Sequence, residues 1–428
     1  MHLTENGRYT SPLAAELADG AVERFLRYVR IDTQSDDDST SSPSTEKQRQ
    51  LGELLARELR ELGLDGVELT EHGYVFASLP GRRGPTIGFI AHMDTSPDES
   101  GSNVRPQVIR YEGGDIVLPG NTRQAIRPSE STLLAERVGH DIVTTDGTTL
   151  LGADDKAGVA EIMAAVAYLV QHAEVDHAPI RVGFTVDEEV GRGTEHFDID
   201  AFGAEFAYTA DGAEVGRIDD ETFTASEVRI RIEGHSVHPG TSKGKLVNSI
   251  KLAASLLEKL PKDRLSPETT EEREGFVHPV DIEGAAAATT ITFIVRDFDG
   301  EKVTEHEQLL RDLAAEIERD EPRARVHVNI AESYRNMKEV LDTQPRILAA
   351  AEEATRRAGL EPTRSAIRGG TDGTMLTARG LLTPNIFTGG QEYHSVLEWI
   401  SVQDMAASAA TLVELAKLWA EPEWAEGE

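Results

Sequence analysis

The 428 residues are 39% hydrophobic and 28% charged, a balance that suits two ordinary globular domains. No apolar run reaches membrane-span length, the N-terminal stretch lacks the basic start and apolar core of a secretory leader, and there is no cysteine; these features exclude a membrane span, disulfides, thiol nucleophiles and sulfur-bound metals, and lead us to expect a cytoplasmic protein. With 76 acidic against 43 basic residues the net charge is −33, which repels nucleic acid and anionic membranes and solvates the surface. The acidic runs at residues 35–38, 268–274 and 421–428 read as solvated loops and a tail.

In chain order, Thr45 and Gln48 are spaced as a capping box, followed by Leu51, Leu54, Leu55, Leu59 and Leu62 at helical spacing and by Gly63 as a stop. Residues 86–91, 181–186 and 206–209 are short apolar runs, expected as buried strands. Between the first two, a helix starts near Lys156 and places Val159, Ile162, Met163, Val166, Leu169 and Val170 on one face. Such alternation predicts an α/β sheet covered on both sides, with its site at the carboxyl ends of the strands. From residue 223 the pattern changes. Val228, Ile230 and Ile232 alternate with Arg229 and Arg231, a half-buried strand and a candidate edge for pairing two copies. A helix (248–260), strands (276–282 and 289–297), a helix (303–319) and a strand (325–331) follow, the order of a ferredoxin-like module. The expected organisation is a catalytic domain (1–222 and 338–428) interrupted by an α+β lid (223–337).

Five segments carry ligand-type side chains. His92-Met93-Asp94 follows the first buried strand; residues two apart face one side, so His92 can bind a metal while Asp94 fixes its ring. Asp154-Asp155 opens the long helix and reads either as capping or as a carboxylate bridging two metals. Asp187-Glu188-Glu189 ends another strand. On an extended chain, one Glu would face a metal and its neighbour a water; the alternative is an acidic surface turn. Asp211 ends a third strand, and His394 lies beyond the glycine pair Gly389-Gly390. Two histidines and three carboxylates without sulfur suit zinc, and also cobalt or manganese.

The segments His92-Met93-Asp94-Thr95-Ser96-Pro97, Leu151-Gly152-Ala153-Asp154-Asp155-Lys156-Ala157-Gly158 and Asp187-Glu188-Glu189-Val190-Gly191 resemble the signatures of the peptidase T family. That family of tripeptide aminopeptidases belongs to the cocatalytic dizinc superfamily that also holds aminoacylases and carboxypeptidase G-type enzymes. The likeness continues through Thr209-Ala210-Asp211-Gly212, Gly234-His235-Ser236-Val237-His238-Pro239-Gly240, Ile294-Val295-Arg296-Asp297-Phe298, Arg368-Gly369-Gly370-Thr371-Asp372-Gly373 and the His394 segment, in order over nearly the whole chain. It implies a dizinc domain interrupted by a ferredoxin-like lid. Asp154 would bridge two zinc ions, with His92 and Asp211 on one and Glu189 and His394 on the other. Asp94 would orient His92, and Glu188 would act as the base. It also implies that lid residues His238 and Arg296 contact substrate. Arg368 and Asn336 are further candidates, though a lid or loop cation can equally be structural. Small peptides would be the substrates, and relatives sometimes form homodimers through the lid. Two stretches depart from the family pattern, Gln391-Glu392 and residues 36–44, and both bear on substrate preference. The rival readings are a dipeptidase, carboxypeptidase or N-acyl amino acid deacylase of the same superfamily, and a non-catalytic binder. The binder is disfavoured because Glu188, not a ligand, accompanies all five ligand positions.

Overall fold

The computed structural model describes residues 8–425. The last three residues of the acidic tail and the first seven of the N-terminal stretch lie outside them. Two compact units emerge: one contains the chain up to Asp220, Val340–Ser365 and the chain from Thr371, the other Glu221–Glu339 and Ala366–Gly370.

The first unit is built on an eight-stranded sheet in the order Asp65–Leu69, Val75–Leu79, Ile180–Thr185, Ile87–His92, Phe206–Gly212, Asn385–Phe387, Arg217–Thr222, Thr363–Ile367. The four strands from Ile180–Thr185 to Asn385–Phe387 run parallel. Their carboxyl ends therefore share one edge of the sheet. Ile87–His92 is buried at every position, as a strand covered on both faces must be, which explains its unbroken apolar sequence. Helix Ala153–Gln171 packs on Ile87–His92 and Phe206–Gly212 and also against helices Pro12–Tyr28 and Val402–Leu418. It is thus buried nearly all round, with Ala157, Ala160, Ala164 and Ala165 filling the sides where a single apolar face is predicted.

Gly158 is where this helix meets the sheet. A Cβ there would lie 1.9 Å from the carbonyl oxygen of Ala210 and 2.6 Å from Asp155 Oδ1, a clash with backbone that no rotamer relieves. Gly158→Ala is expected to destabilise the protein by about 1–3 kcal/mol or more, read as a lower urea midpoint; an unchanged midpoint would contradict this packing.

The predicted capping box does not form. Helix Gln48–Leu62 has no side-chain cap, because its two candidate residues are engaged over long range. Thr45 Oγ1 donates to the Gln34 carbonyl at 2.7 Å, and Gln48 Nε2 donates to Asp187 Oδ1 at 2.6 Å. Gly63, at φ +86°, does end the helix.

In the second unit, Thr224–Glu233, Ser249–Glu258, Phe276–Ala285, Ala288–Asp297, Gly300–Asp320 and Arg325–Tyr334 succeed one another as strand, helix, strand, strand, helix, strand. The all-antiparallel sheet has the order second, third, first, fourth strand, the ferredoxin-like arrangement. Val228, Ile230, Ile232, Ile291, Phe293, Leu310 and Ile317 form its core. Residues 228–232 are no edge: their strand is hydrogen-bonded on both sides, so pairing of copies through it is ruled out. One short piece also departs from the predicted boundaries. Ala366–Gly370, expected with the last catalytic segment, groups with this unit; Arg368 donates there to the carbonyls of Glu272 and Glu274 at 2.8 and 2.9 Å.

Candidate metal centre

Each ligand-type residue is delivered by the sheet. His92 is the last residue of its strand, Asp211 lies one residue before the end of Phe206–Gly212, and Glu188 and Glu189 follow Ile180–Thr185. His394 follows Asn385–Phe387, and Asp154 sits in the first turn of Ala153–Gln171. Because the four strands are parallel, these residues arrive at the same edge.

Asp154 lies between the two imidazoles. Its Oδ1 is 2.9 Å from His92 Nε2 and its Oδ2 is 3.3 Å from His394 Nε2. Asp211 Oδ1 is 3.6 Å from His92 Nε2, and Glu189 Oε2 is 2.8 Å from His394 Nε2. On the far side of the His92 ring, Nδ1 meets Asp94 Oδ1 at 3.3 Å. Asp94 has a second task, accepting the backbone N–H groups of Glu188 and Glu189 at 3.1 and 3.2 Å. It therefore ties the His92 strand to the acidic turn. That turn is a 3₁₀ segment, Glu188–Val190, preceded by Asp187 at φ +58°; the predicted extended run of three acids is not what forms. Asp187 points away from the centre, accepting the Ser44 N–H through both oxygens at 2.9 and 2.7 Å. It fastens the loop at residues 36–44 beside the turn.

The electrostatics are those of a cluster missing counter-charge. Burial pushes Glu188 well above the usual carboxylate range, and Asp211, Asp372 and Glu189 add to the effect against the opposing charge of His92. Glu189 is raised to about 8, by burial and by Asp154. His394 is held up to about 11 by its hydrogen bonds to Asp154 and Glu189. Glu189 Oε1 is buried with no hydrogen-bond partner. Two overlapping groups, His92/Asp155/Asp211 and His92/Asp154/Glu189, have ligand atoms within 4.8 Å of one another. Imidazoles, an orphaned carboxylate oxygen and crowded buried acids are the donor set a pair of divalent cations needs; the residues fit such a centre.

Two supporting acids escape sequence reading. Asp155 accepts the N–H groups of His92 (3.1 Å) and Gly158 (3.2 Å), and Asp372 accepts from Thr185 Oγ1 at 2.6 Å. The hints for Asp372 are its place in the family-like segment at residues 368–373 and at a helix start.

His238, Arg296, Asn336 and Arg368 belong to the second unit. His238 is exposed, and its Nδ1 accepts the Gly240 N–H at 3.2 Å. Arg296 and Arg368 both lie 5.9 Å from the centre of the Phe276 ring. Arg296 Nε is buried without a hydrogen-bond partner among the described residues. Arg368 is bound to the loop carbonyls described above and to Thr270 Oγ1 at 3.1 Å. Asn336 Nδ2 donates to Glu221 Oε1 (3.3 Å) and the Phe298 carbonyl (3.1 Å), and its Oδ1 accepts the Thr222 N–H at 3.2 Å. The acids next to Arg296 in sequence are engaged elsewhere: Asp297 is paired with His306 at 3.1 Å, and Asp299 caps the following helix.

Comparison with known proteins agrees with this architecture. The family model "Peptidase family M20/M25/M40" matches residues 143–418. A peptidase T of Geobacillus thermodenitrificans is 46% identical over 402 residues, covering 93% of this chain and 98% of the relative. That of Bacillus subtilis is 45% identical over 400 residues, covering 92% and 97%. The crystal structure of aminopeptidase PepT from Bacillus cereus superposes with a TM-score of 0.73 over 94% of this chain and 99% of the other, at 22% identity, and so shares the fold. The chain belongs to peptidase family M20/M25/M40 and, within it, to the peptidase T family.

Proposed function

We propose that the chain is a cytoplasmic, dizinc tripeptide aminopeptidase in which Asp154 bridges the two ions, His92 and Asp211 complete one site, and Glu189 and His394 complete the other. The enzyme is a hydrolase, a tripeptide aminopeptidase, as its membership of the peptidase T family requires. The observation that carries the metal reading is the position of Asp154, one oxygen on each imidazole. Two bound cations would acidify the attacking water and polarise the scissile carbonyl. The chain's own part is positional and acid–base. Glu188 takes a proton from the water and returns it to the departing amine, and Asp94 holds both His92 and the turn that presents Glu188. Zinc suits the nitrogen and oxygen donors best, with cobalt or manganese as substitutes. Among the described residues no helix is long and apolar enough to cross a membrane.

In the second unit, we assign recognition of the peptide's C-terminal carboxylate to Arg296, whose buried Nε has no partner, and a substrate contact to His238. A buried guanidinium with an unused donor is well matched to a carboxylate. Arg368 and Asn336 use their donors on their own unit, which supports a role in holding the loop at residues 270–274 and the segment at residues 221–222.

A matched set of substrates tests the reading: a free tripeptide, its dipeptide, its N-acetylated form and its C-terminal amide, each with zinc and with a chelator. Fast release of the first residue from the free tripeptide, abolished by chelation, is expected. Preference for the acetylated form would move the chain to the deacylase branch, and no turnover despite two bound ions would make it a binder.

A further inference from the structure

Glu398 is only 1% exposed and sits four residues beyond His394. Its Oε2 accepts the N–H groups of Leu151 and Gly152, each at 2.7 Å, and its Oε1 accepts the N–H of Asp154 at 3.0 Å. A buried carboxylate satisfied by three backbone donors is strongly directional.

The fold explains why this contact exists. Strand Trp399–Ser401 runs antiparallel to Asp141–Thr144, with Trp399 opposite Thr144. These two strands belong to a separate four-stranded sheet, and the chain arriving from His394 enters it at the same end from which the chain leaves towards Asp154. Glu398 stands at that crossing. It matters because the Asp154 segment is not held by helical geometry. Gly152 is left-handed at φ +83° and offers no side-chain cap, and Asp154 (φ −85°, ψ 104°) and Asp155 (φ −122°, ψ 32°) are non-helical. Asp155 ties the following residue to the His92 and Gly158 N–H groups, and Glu398 holds the stretch that leads into Asp154.

We infer that Glu398 is a positioning residue of the metal centre: by clamping the Leu151–Gly152–Asp154 backbone to the His394 segment, it fixes the bridging carboxylate relative to the second imidazole. This inference rests on the dizinc reading above. Glu398 touches no reacting atom; it acts through Asp154. In Glu398→Gln, one of the two acceptor oxygens becomes an NH₂ group facing backbone N–H donors, while size is kept.

The test compares wild type, Glu398→Gln, Glu398→Asp and a control, Ser131→Ala. The control removes the partner of Trp399 Nε1 (3.1 Å), one residue from Glu398. Zinc affinity is measured by titration calorimetry, cobalt-loaded protein by visible absorption, and stability by thermal melting. Glu398→Gln is expected to lose about 10–100-fold in affinity for at least one ion, to show an altered cobalt spectrum, and to lose kcat with KM little changed. Glu398→Asp should be intermediate, and Ser131→Ala should keep wild-type affinity and spectrum whatever its melting temperature. Wild-type affinity and spectrum in a folded Glu398→Gln or Glu398→Asp would overturn the assignment, as would failure of both variants to fold. A wild-type protein that bound no divalent ion would instead overturn the dizinc reading beneath it.

Discussion

Glu188→Gln is expected to lower kcat by about 10²–10⁴-fold, the usual size of a general-base contribution, while the protein still binds two metal ions. The expectation follows from where the structure puts each acid. Glu189 faces His394 at 2.8 Å, with its second oxygen unpartnered, which is the disposition of a ligand. Glu188 sits in the same turn and, like Glu189, gives its backbone N–H to Asp94, but of the two carboxylates only that of Glu189 pairs with an imidazole. The charges of His92, Asp211, Asp372 and Glu189 all act on its buried carboxyl, which places it within the field of the centre. Glutamine preserves shape while removing the carboxylate charge and with it the ability to accept a proton. Metal content by mass spectrometry and single-turnover hydrolysis of a tripeptide separate the possibilities. Loss of one ion would make Glu188 a ligand, and unchanged turnover would move the base elsewhere.

The backbone frame is legible in the sequence where information is local. An apolar run such as residues 87–91 reports a strand buried on both faces, because only such a strand tolerates no polar position. The strict alternation of Val228, Arg229, Ile230, Arg231 and Ile232 reports a sheet with one wet face. Ligand-type residues just after such runs are visible for the same reason, since the sheet's edge is the end of the run.

What sequence cannot display is the partner of a polar side chain far away along the chain. Thr45 and Gln48 have the spacing of a local cap, yet their bonds go to Gln34 and Asp187. Asp187 looks like one of three equivalent acids, and only its left-handed backbone and its bonds to Ser44 separate it from Glu188 and Glu189. The strand at residues 228–232 has no sequence mark that distinguishes a central strand from an edge. Its alternation records the faces of the sheet and says nothing about how many neighbours share its backbone hydrogen bonds.

Asp154→Ala is expected to abolish metal-dependent stabilisation together with activity. On the dizinc reading, zinc binds the folded wild type, and a hundredfold excess of free ion over its dissociation constant adds about 2.7 kcal/mol to stability. Thermal melting should therefore rise when zinc is added. Removing Asp154 takes away the one carboxylate among the described residues that reaches both imidazoles, so both ion positions lose a ligand and the variant should melt at the same temperature with or without zinc. The metal-free variant itself should stay folded. His92 keeps Asp94 and Asp211 within 3.3 and 3.6 Å, and His394 keeps Glu189 at 2.8 Å. The lost contacts are offset by removal of one charge from a crowded group of acids, since Asp154 itself raises Glu189 and Asp211. The discriminating measurement is the zinc-induced shift in melting temperature, taken beside bound metal per chain. A variant that still held two ions and kept the wild-type shift would remove Asp154 from the bridge.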